Sequence, residues 1–261
     1  HLYEKSLKLW EGLSQELNFN VMFSQRGVMN LGHTLQDMRD IYRRSNANRL
    51  NGIDSEILTP AEIKAKVPAM NVSSEARYPV LGASFQPRGG VARHDAVAWG
   101  FARAADARGV DIIQNCEVTG IQQNNGAVTG VETTRGLIKA KKIGMAVAGH
   151  GSVVASMVGQ RLPITTQPLQ AWVSEPVKPV LNEIVVIRSY YGTYLMQSDK
   201  GEIVVGQGCD PYPSYAQRGT FPIIEDATTS MLEVFPSFGR LKLLRHWAGM
   251  LDIPYDGSPI I

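Results

Sequence analysis

The stretch "GGVARHDAVAWGFARAADARG", residues 89 to 109, sets His94 between Arg93 and Asp95, just after a glycine pair and just before alanines and aromatics at helical spacing. An imidazole at such a joint can act as a nucleophile, a ligand or a hydrogen-bond partner. A polar residue opening a core helix would look the same, so the residues leave both readings open. A second signal is "AVAGHGS", Ala146 to Ser152, whose small side chains let a backbone turn come close to another group. "IRSYYGTY" offers Arg188 with Tyr190, Tyr191 and Tyr194, a cation for a small carboxylate beside aromatic walls, or simply a packed strand. His246 next to Trp247 reads as a sheet residue or a base.

Composition bounds what these residues can serve. The chain has 261 residues, 44% hydrophobic and 19% charged, which suits a folded protein with a sizeable core. A net charge of +2 argues against nucleic acid or an anionic membrane as partner, and the basic run Arg39 to Arg49 reads as a solvated helix face. The two cysteines, Cys116 and Cys209, lack CxxC spacing, so no metal site is indicated and both are expected to be buried thiols. No apolar run approaches the roughly 20 residues of a membrane span and no signal-peptide pattern opens the chain, so a cytoplasmic protein is expected.

The elements that must position these residues follow from periodicity and punctuation. Residues 2–17 read as a helix, "FNVMFSQRGVMNLGH" as two short strands, and Thr34 as the start of a charged helix. In "LTPAEIKAKVP" Thr59 caps a compact helix, Pro60 fits its first turn and Pro68 stops it. A helix follows over 95–108 with Ala98, Phe101, Ala102 and Ala105 as its apolar stripe, entered through a loop loosened by Gly89 and Gly90. "VDIIQNCEVTGIQQ" reads as a strand, Asn124-Asn125-Gly126 as a hairpin turn, and "LIKAKKIGMAVAGHGS" as a strand running into a turn and a helix at Val153. From about Thr165 the texture is strand-rich, with one helix in "IEDATTSMLEVFP".

A helix, a strand, a meander and an apolar strand ending in glycines match the second half of a FAD-binding domain of the glutathione-reductase type. The predicted fold is therefore α/β (mixed α+β), such a domain interleaved with a substrate domain on a large mixed or antiparallel sheet. Residues 1–80 would belong to the substrate domain, 81–164 to the FAD-binding half, 165–250 to the substrate sheet and 251–261 to the return. Val118 stands where such folds touch an adenine, and Ala148 and Gly149 where a turn meets the cofactor, with N–H groups at the next helix start facing a phosphate or ribose. The Gly-x-Gly-x-x-Gly fingerprint with an acid about 20 residues on is absent. The chain opens at His1 inside an amphipathic pattern, so an internal piece of a longer protein is expected.

The strings "YEKSLKLWE", "FSQRGVMNL", "RYPVLGASFQPRGGVARHDAVAWGFARAA", "VDIIQNCEVTG" and "SPII" resemble the beta subunits of heterotetrameric sarcosine oxidases, and the likeness runs over essentially the whole chain. The resemblance implies FMN held covalently on His94 through the flavin 8α-methyl, with Arg93 beside the same flavin where the family often has lysine. It further implies a noncovalent FAD that takes a hydride equivalent from the N-methyl of sarcosine, and electron passage to FMN at the boundary with an alpha subunit. Oxygen would then give H2O2, with glycine and methylene-tetrahydrofolate or formaldehyde as the other products. Alpha, gamma and delta subunits are the implied partners. The alternatives are an amine, D-amino-acid or dimethylglycine oxidoreductase with a single noncovalent FAD, and a flavin-free assembly subunit. The glycine-rich segment whose lysine activates oxygen in related oxidases is not matched here, and no catalytic residue is assigned.

Overall fold

The computed structural model describes residues 2–187, 192–258 and 260. Its first elements are α1 (Leu2–Glu16), β1 (Ser24–Gln25), β2 (Val28–Gly32), α2 (Leu35–Leu50), β3 (Glu56–Leu58), α3 (Pro60–Lys66), β4 (Gly82–Gln86), β5 (Gly90–Val91) and α4 (His94–Asp106). Next come β6 (Val118–Asn124), β7 (Ala127–Thr133), β8 (Gly136–Lys139), α5 (Gly151–Ser156) and β9 (Ile164–Pro176). The chain continues through β10 (Ile184–Val186), β11 (Tyr194–Gln197), β12 (Glu202–Cys209), α6 (Phe221–Val234) and β13 (Leu243–Pro254).

Local chemistry sets the helix starts. The Thr59 cap expected from the sequence is present at the head of α3, and the Glu62 carboxylate adds a reciprocal bond from the Thr59 N–H. Thr34 and Asp37 build the same box at α2, with N···O distances of 3.0 and 2.9 Å. Burial raises the Asp37 carboxyl, but the Thr34 hydroxyl and the backbone N–H groups of His33 and Thr34 outweigh it and hold it below the usual carboxylate range.

Packing divides the chain into two compact units: residues 1–110, 170–208 and 219–247, and residues 111–169, 209–218 and 248–261. The expected large mixed sheet is present as eight strands in the order β13-β9-β12-β11-β10-β2-β4-β3. β10 and β2 run parallel, whereas β10–β11, β11–β12, β2–β4 and β3–β4 are antiparallel. Register carries Phe85, Met29, Val185, Leu195 and Val205 across five strands as one row. That row belongs to the apolar core with Ile63 and Val67 near α3 and with Met231 and Val234 of α6.

In the second unit β6, β7 and β8 form the expected meander. Asn125 (φ 50°) and Gly126 (φ 79°) are both left-handed, as a tight hairpin turn requires. The strand expected through "VDIIQNCEVTGIQQ" begins only at Val118, and residues 140–147 likewise lie outside β8. The reason is pairing: both runs have strand-like residues but no ladder partner among the described residues. No helix of the described residues is long and apolar enough to cross a membrane.

The stripe predicted for α4 is displaced. Phe101 is 51% exposed and Ala98 is exposed, while Gly100 is buried. A Cβ at Gly100 would sit 3.1 Å from Phe19, so the helix packs through its smallest residue, which carries no apolar signal in the sequence. Cys116 and Cys209 are half-buried rather than buried, since each lies where a strand borders a loop.

Candidate functional site

The chain enters α4 through Arg93, whose backbone is extended (φ −81°, ψ 115°) and whose side chain makes no cap. Asp95 supplies the oxygen instead. Its Oδ1 accepts the Ala96 N–H at 2.9 Å, and Arg93 Nη2 lies 2.8 Å from its Oδ2. The Ala96 N–H and then the Arg93 guanidinium hold the Asp95 carboxyl below its usual range. His94 is left between two residues engaged with each other, and its own ring makes no hydrogen bond or ion pair among the described residues.

The preceding glycines are tight rather than loose. β5 pairs with β1 through Ser24↔Val91, and a Cβ at Gly90 would lie 2.5 Å from the Ser24 carbonyl oxygen. A Cβ at Gly89 would lie 2.5 Å from Val28. The pair therefore lets β5 lie flat against its neighbours, which fixes where α4, and His94 with it, begins.

His94 and Arg93 line a cavity of about 650 Å³, within the roughly 300–1,000 Å³ of small-molecule pockets. Its apolar lining includes Val173, Met196, Val204 and Trp247, which come from β9, β11, β12 and β13, strands that adjoin in the sheet. Arg26 closes one side: it donates to the Gln197 carbonyl at 2.8 Å and to Ser24 Oγ at 3.0 Å, and it pairs with Asp199. The Ser198 hydroxyl holds the Glu202 carboxyl below its usual range, with help from the Lys200 and Arg93 charges. Lys200 and Arg245 also line the cavity and make no ion pair among the described residues. An imidazole, an apolar lining and a surplus of cations (Arg26, Arg93, Lys200 and Arg245) over carboxylates (Asp199 and Glu202) suit a planar aromatic molecule with an anionic tail.

Sequence reasoning found His94 and Arg93 but missed Arg26, Lys200, Glu202, Arg245 and Trp247. Their i, i+2 spacing on strands (Glu202 with Val204, Arg245 with Trp247) was visible, but which strands adjoin was not.

Val118 opens β6 and is 37% exposed. Ala148 is left-handed (φ 45°), and Gly149 is buried with a would-be Cβ 2.4 Å from that of Met250. The missing side chain at Gly149 is thus accounted for by packing on β13, while the Gly149 carbonyl takes a bond from Thr166 Oγ1 at 3.3 Å. All three belong to the second unit. Arg188, Tyr190 and Tyr191 lie outside the described residues. Tyr194 pairs across the ladder with Gly206, on which its ring rests, and burial pushes its phenol up from the ordinary value. His246 packs over Gly219, where a Cβ would lie 1.6 Å from its ring.

The whole chain, residues 1–261, matches the family described as FAD dependent oxidoreductase, and the chain belongs to that family. Among curated proteins it is 52% identical over 260 residues to "Sarcosine oxidase subunit beta" of an Arthrobacter species, covering 100% of this chain and 64% of that protein. It is 49% identical to the protein of the same name from Rhodobacter capsulatus, covering 100% of this chain and 62% of that relative. The chain thus spans a little under two thirds of the length of these relatives. Among solved structures, the L-proline dehydrogenase of P. horikoshii superposes with a TM-score of 0.89 at 27% identity, over 98% of this chain and 67% of that one. A glycine oxidase from Geobacillus kaustophilus gives 0.86 at 20% identity over 98% and 67%, which supports the fold alone.

Proposed function

We propose that the chain is part of a sarcosine oxidase beta subunit that carries FMN on His94 and binds FAD noncovalently, working in the cytoplasm with alpha, gamma and delta subunits. The observation that carries the reading is the unengaged His94 ring on the wall of the 650 Å³ cavity, held between a locked Arg93–Asp95 pair. The likeness to proteins named as sarcosine oxidase beta subunits, at 52% and 49% identity, supports the substrate and the multi-subunit assembly.

When bound, the flavins would supply a two-electron acceptor for the N-methyl C–H bond of sarcosine and a route for those electrons to O2, giving H2O2 and, after the imine product is used, glycine with methylene-tetrahydrofolate or formaldehyde. The residues of this chain have narrower tasks. A ring nitrogen of His94 would hold the flavin through its 8α carbon. Val173, Met196, Val204 and Trp247 would keep water away from it. Lys200 and Arg245 would offer cations to its phosphate, and Arg93, held by Asp95, would keep a cation near His94. Val118, Ala148 and Gly149 would contribute backbone contacts to FAD. No glycine-rich dinucleotide loop occurs in this sequence, and the proposed FAD contacts stop at these three residues.

The test is direct. The full-length subunit, expressed with its partners, is precipitated in acid and digested, and the peptide spanning Val91 to Arg103 is weighed. FMN mass on His94 is expected. A bare peptide with all flavin in the supernatant would overturn the covalent assignment in favour of an amine oxidoreductase with a single FAD.

A further inference from the structure

A second cavity, of about 460 Å³, lies between α2 and the sheet and has no part in the flavin reading. Its origin is visible in the packing. Gly32 and Gly82 form a cross-strand pair, and a Cβ on either would come within 2.6 or 2.7 Å of the Met38 side chain, so α2 rests directly on the sheet there. Two rungs further along, on the same face, Asn30 pairs with Ser84, and the space opens.

Beside Leu31, Ile41 and Phe85, both walls carry polar side chains where an ordinary helix–sheet contact would be apolar throughout. The sheet offers Asn30, Ser84 and Gln86, and α2 offers Ser45 and Asn48. Ser45 is 1% exposed and its Oγ has no hydrogen-bond partner. The side chains of Asn30, Ser84 and Asn48 likewise make no hydrogen bond among the described residues. Charges at the cavity are already satisfied: Asp37 by the Thr34 and His33 N–H groups, Asp40 by Arg43 and Arg44. The lining therefore presents neutral donors and acceptors with nothing to balance a net charge. The space far exceeds the roughly 10–15 Å³ that one water needs.

We propose that this cavity binds a small uncharged polyol, whose hydroxyls can each donate to an amide oxygen and accept from a Ser or Asn group. A charged ligand would find no free counter-charge, since Asp37, Asp40 and Arg44 are already engaged.

Saturation-transfer NMR on the full-length protein, with sorbitol and glycerol as probes and gluconate as the charged control, tests this. A direct binding signal is needed because polyols also stabilise proteins by exclusion from their surface. Saturable sorbitol binding with Kd of about 1–10 mM is expected, with none for gluconate. Ser84→Leu should fill the cavity and abolish the signal. Ser45→Ala, which removes a hydroxyl with no partner and should fold normally, should weaken binding about fivefold. Absence of saturation below about 100 mM, or equal binding in both variants and the parent, would overturn the proposal. So would a crystal structure of the full-length protein in sorbitol with only water or protein side chains in the cavity.

Discussion

On one face of the eight-stranded sheet the row Phe85, Met29, Val185, Leu195 and Val205 is at most 6% exposed. On the other face the row offset by one residue reads Ser84, Asn30, Val186, Tyr194 and Gly206, along the same rungs. The first face is covered by α3, α6 and the segments after them, with a cavity of about 830 Å³ at its margin beside Lys66 and Pro68; the second carries the cavities that hold His94 and Ser45. Alternation along each strand makes this division possible, since a step of one residue moves a side chain from core to cavity. Each fully buried aliphatic side chain contributes about 1.5–3 kcal/mol, so the packed face supplies stability. The open face, with its polar and small residues, gives up some of that in exchange for binding space.

The largest expected effect that would break this division is on the open face. His94→Ala should remove all covalent flavin from the Val91–Arg103 peptide while leaving urea unfolding of the subunit nearly unchanged, because the ring makes no hydrogen bond or ion pair among the described residues. A large loss of stability would mean that His94 belongs to the scaffold after all.

Ile203→Ala makes the opposite test. Ile203 is 0% exposed on the packed face, and truncation should cost about 2–5 kcal/mol in urea unfolding. The fraction of folded protein carrying flavin should not change. If flavin is lost at conditions where the variant is fully folded, the two faces are coupled more tightly than their packing implies.

Legibility in the sequence follows the same division. The helix cap at Thr59, the Asn125-Gly126 turn and the strand-rich second half were readable because each is set by neighbours within a few residues. The cavity around His94 was not, because Arg26 meets Asp199 across 173 positions and Trp247 comes from the edge strand. Gly89 and Gly90 read as looseness, yet their role is close approach, which only the partner strand reveals. Residues 110–117 read as strand for the converse reason: the side chains suit a sheet, but pairing is not a local property.

A subtler change sharpens the view of the open face. The Tyr194 ring rests on Gly206, where a Cβ would lie 2.1 Å from its Cζ. Gly206→Ala should force the ring outward at a cost of about 1–3 kcal/mol. Because burial is what raises the Tyr194 phenol, its ultraviolet titration should move down toward pH 10.0 in the variant. An unmoved titration would show that the ring stays in place and the backbone yields instead.

The smallest effect concerns α2, the helix that roofs the polar cavity. Asp37 is held below the ordinary carboxylate range in the folded chain, so its contribution is complete above that range and is lost as pH falls through the depressed folded value. Folded α2 then loses one half of its capping box, and the helix start frays first. Amide protection factors at the first turn of α2 should therefore fall once the pH drops below the ordinary carboxylate range, while protection in β12, whose Ile203 and Val205 are 0% exposed, holds. Asp37→Asn keeps an acceptor but no titrating group, so it should flatten that acid-side dependence. If both elements open together in the parent protein, α2 is not a separate roof over the sheet but part of the same cooperative core.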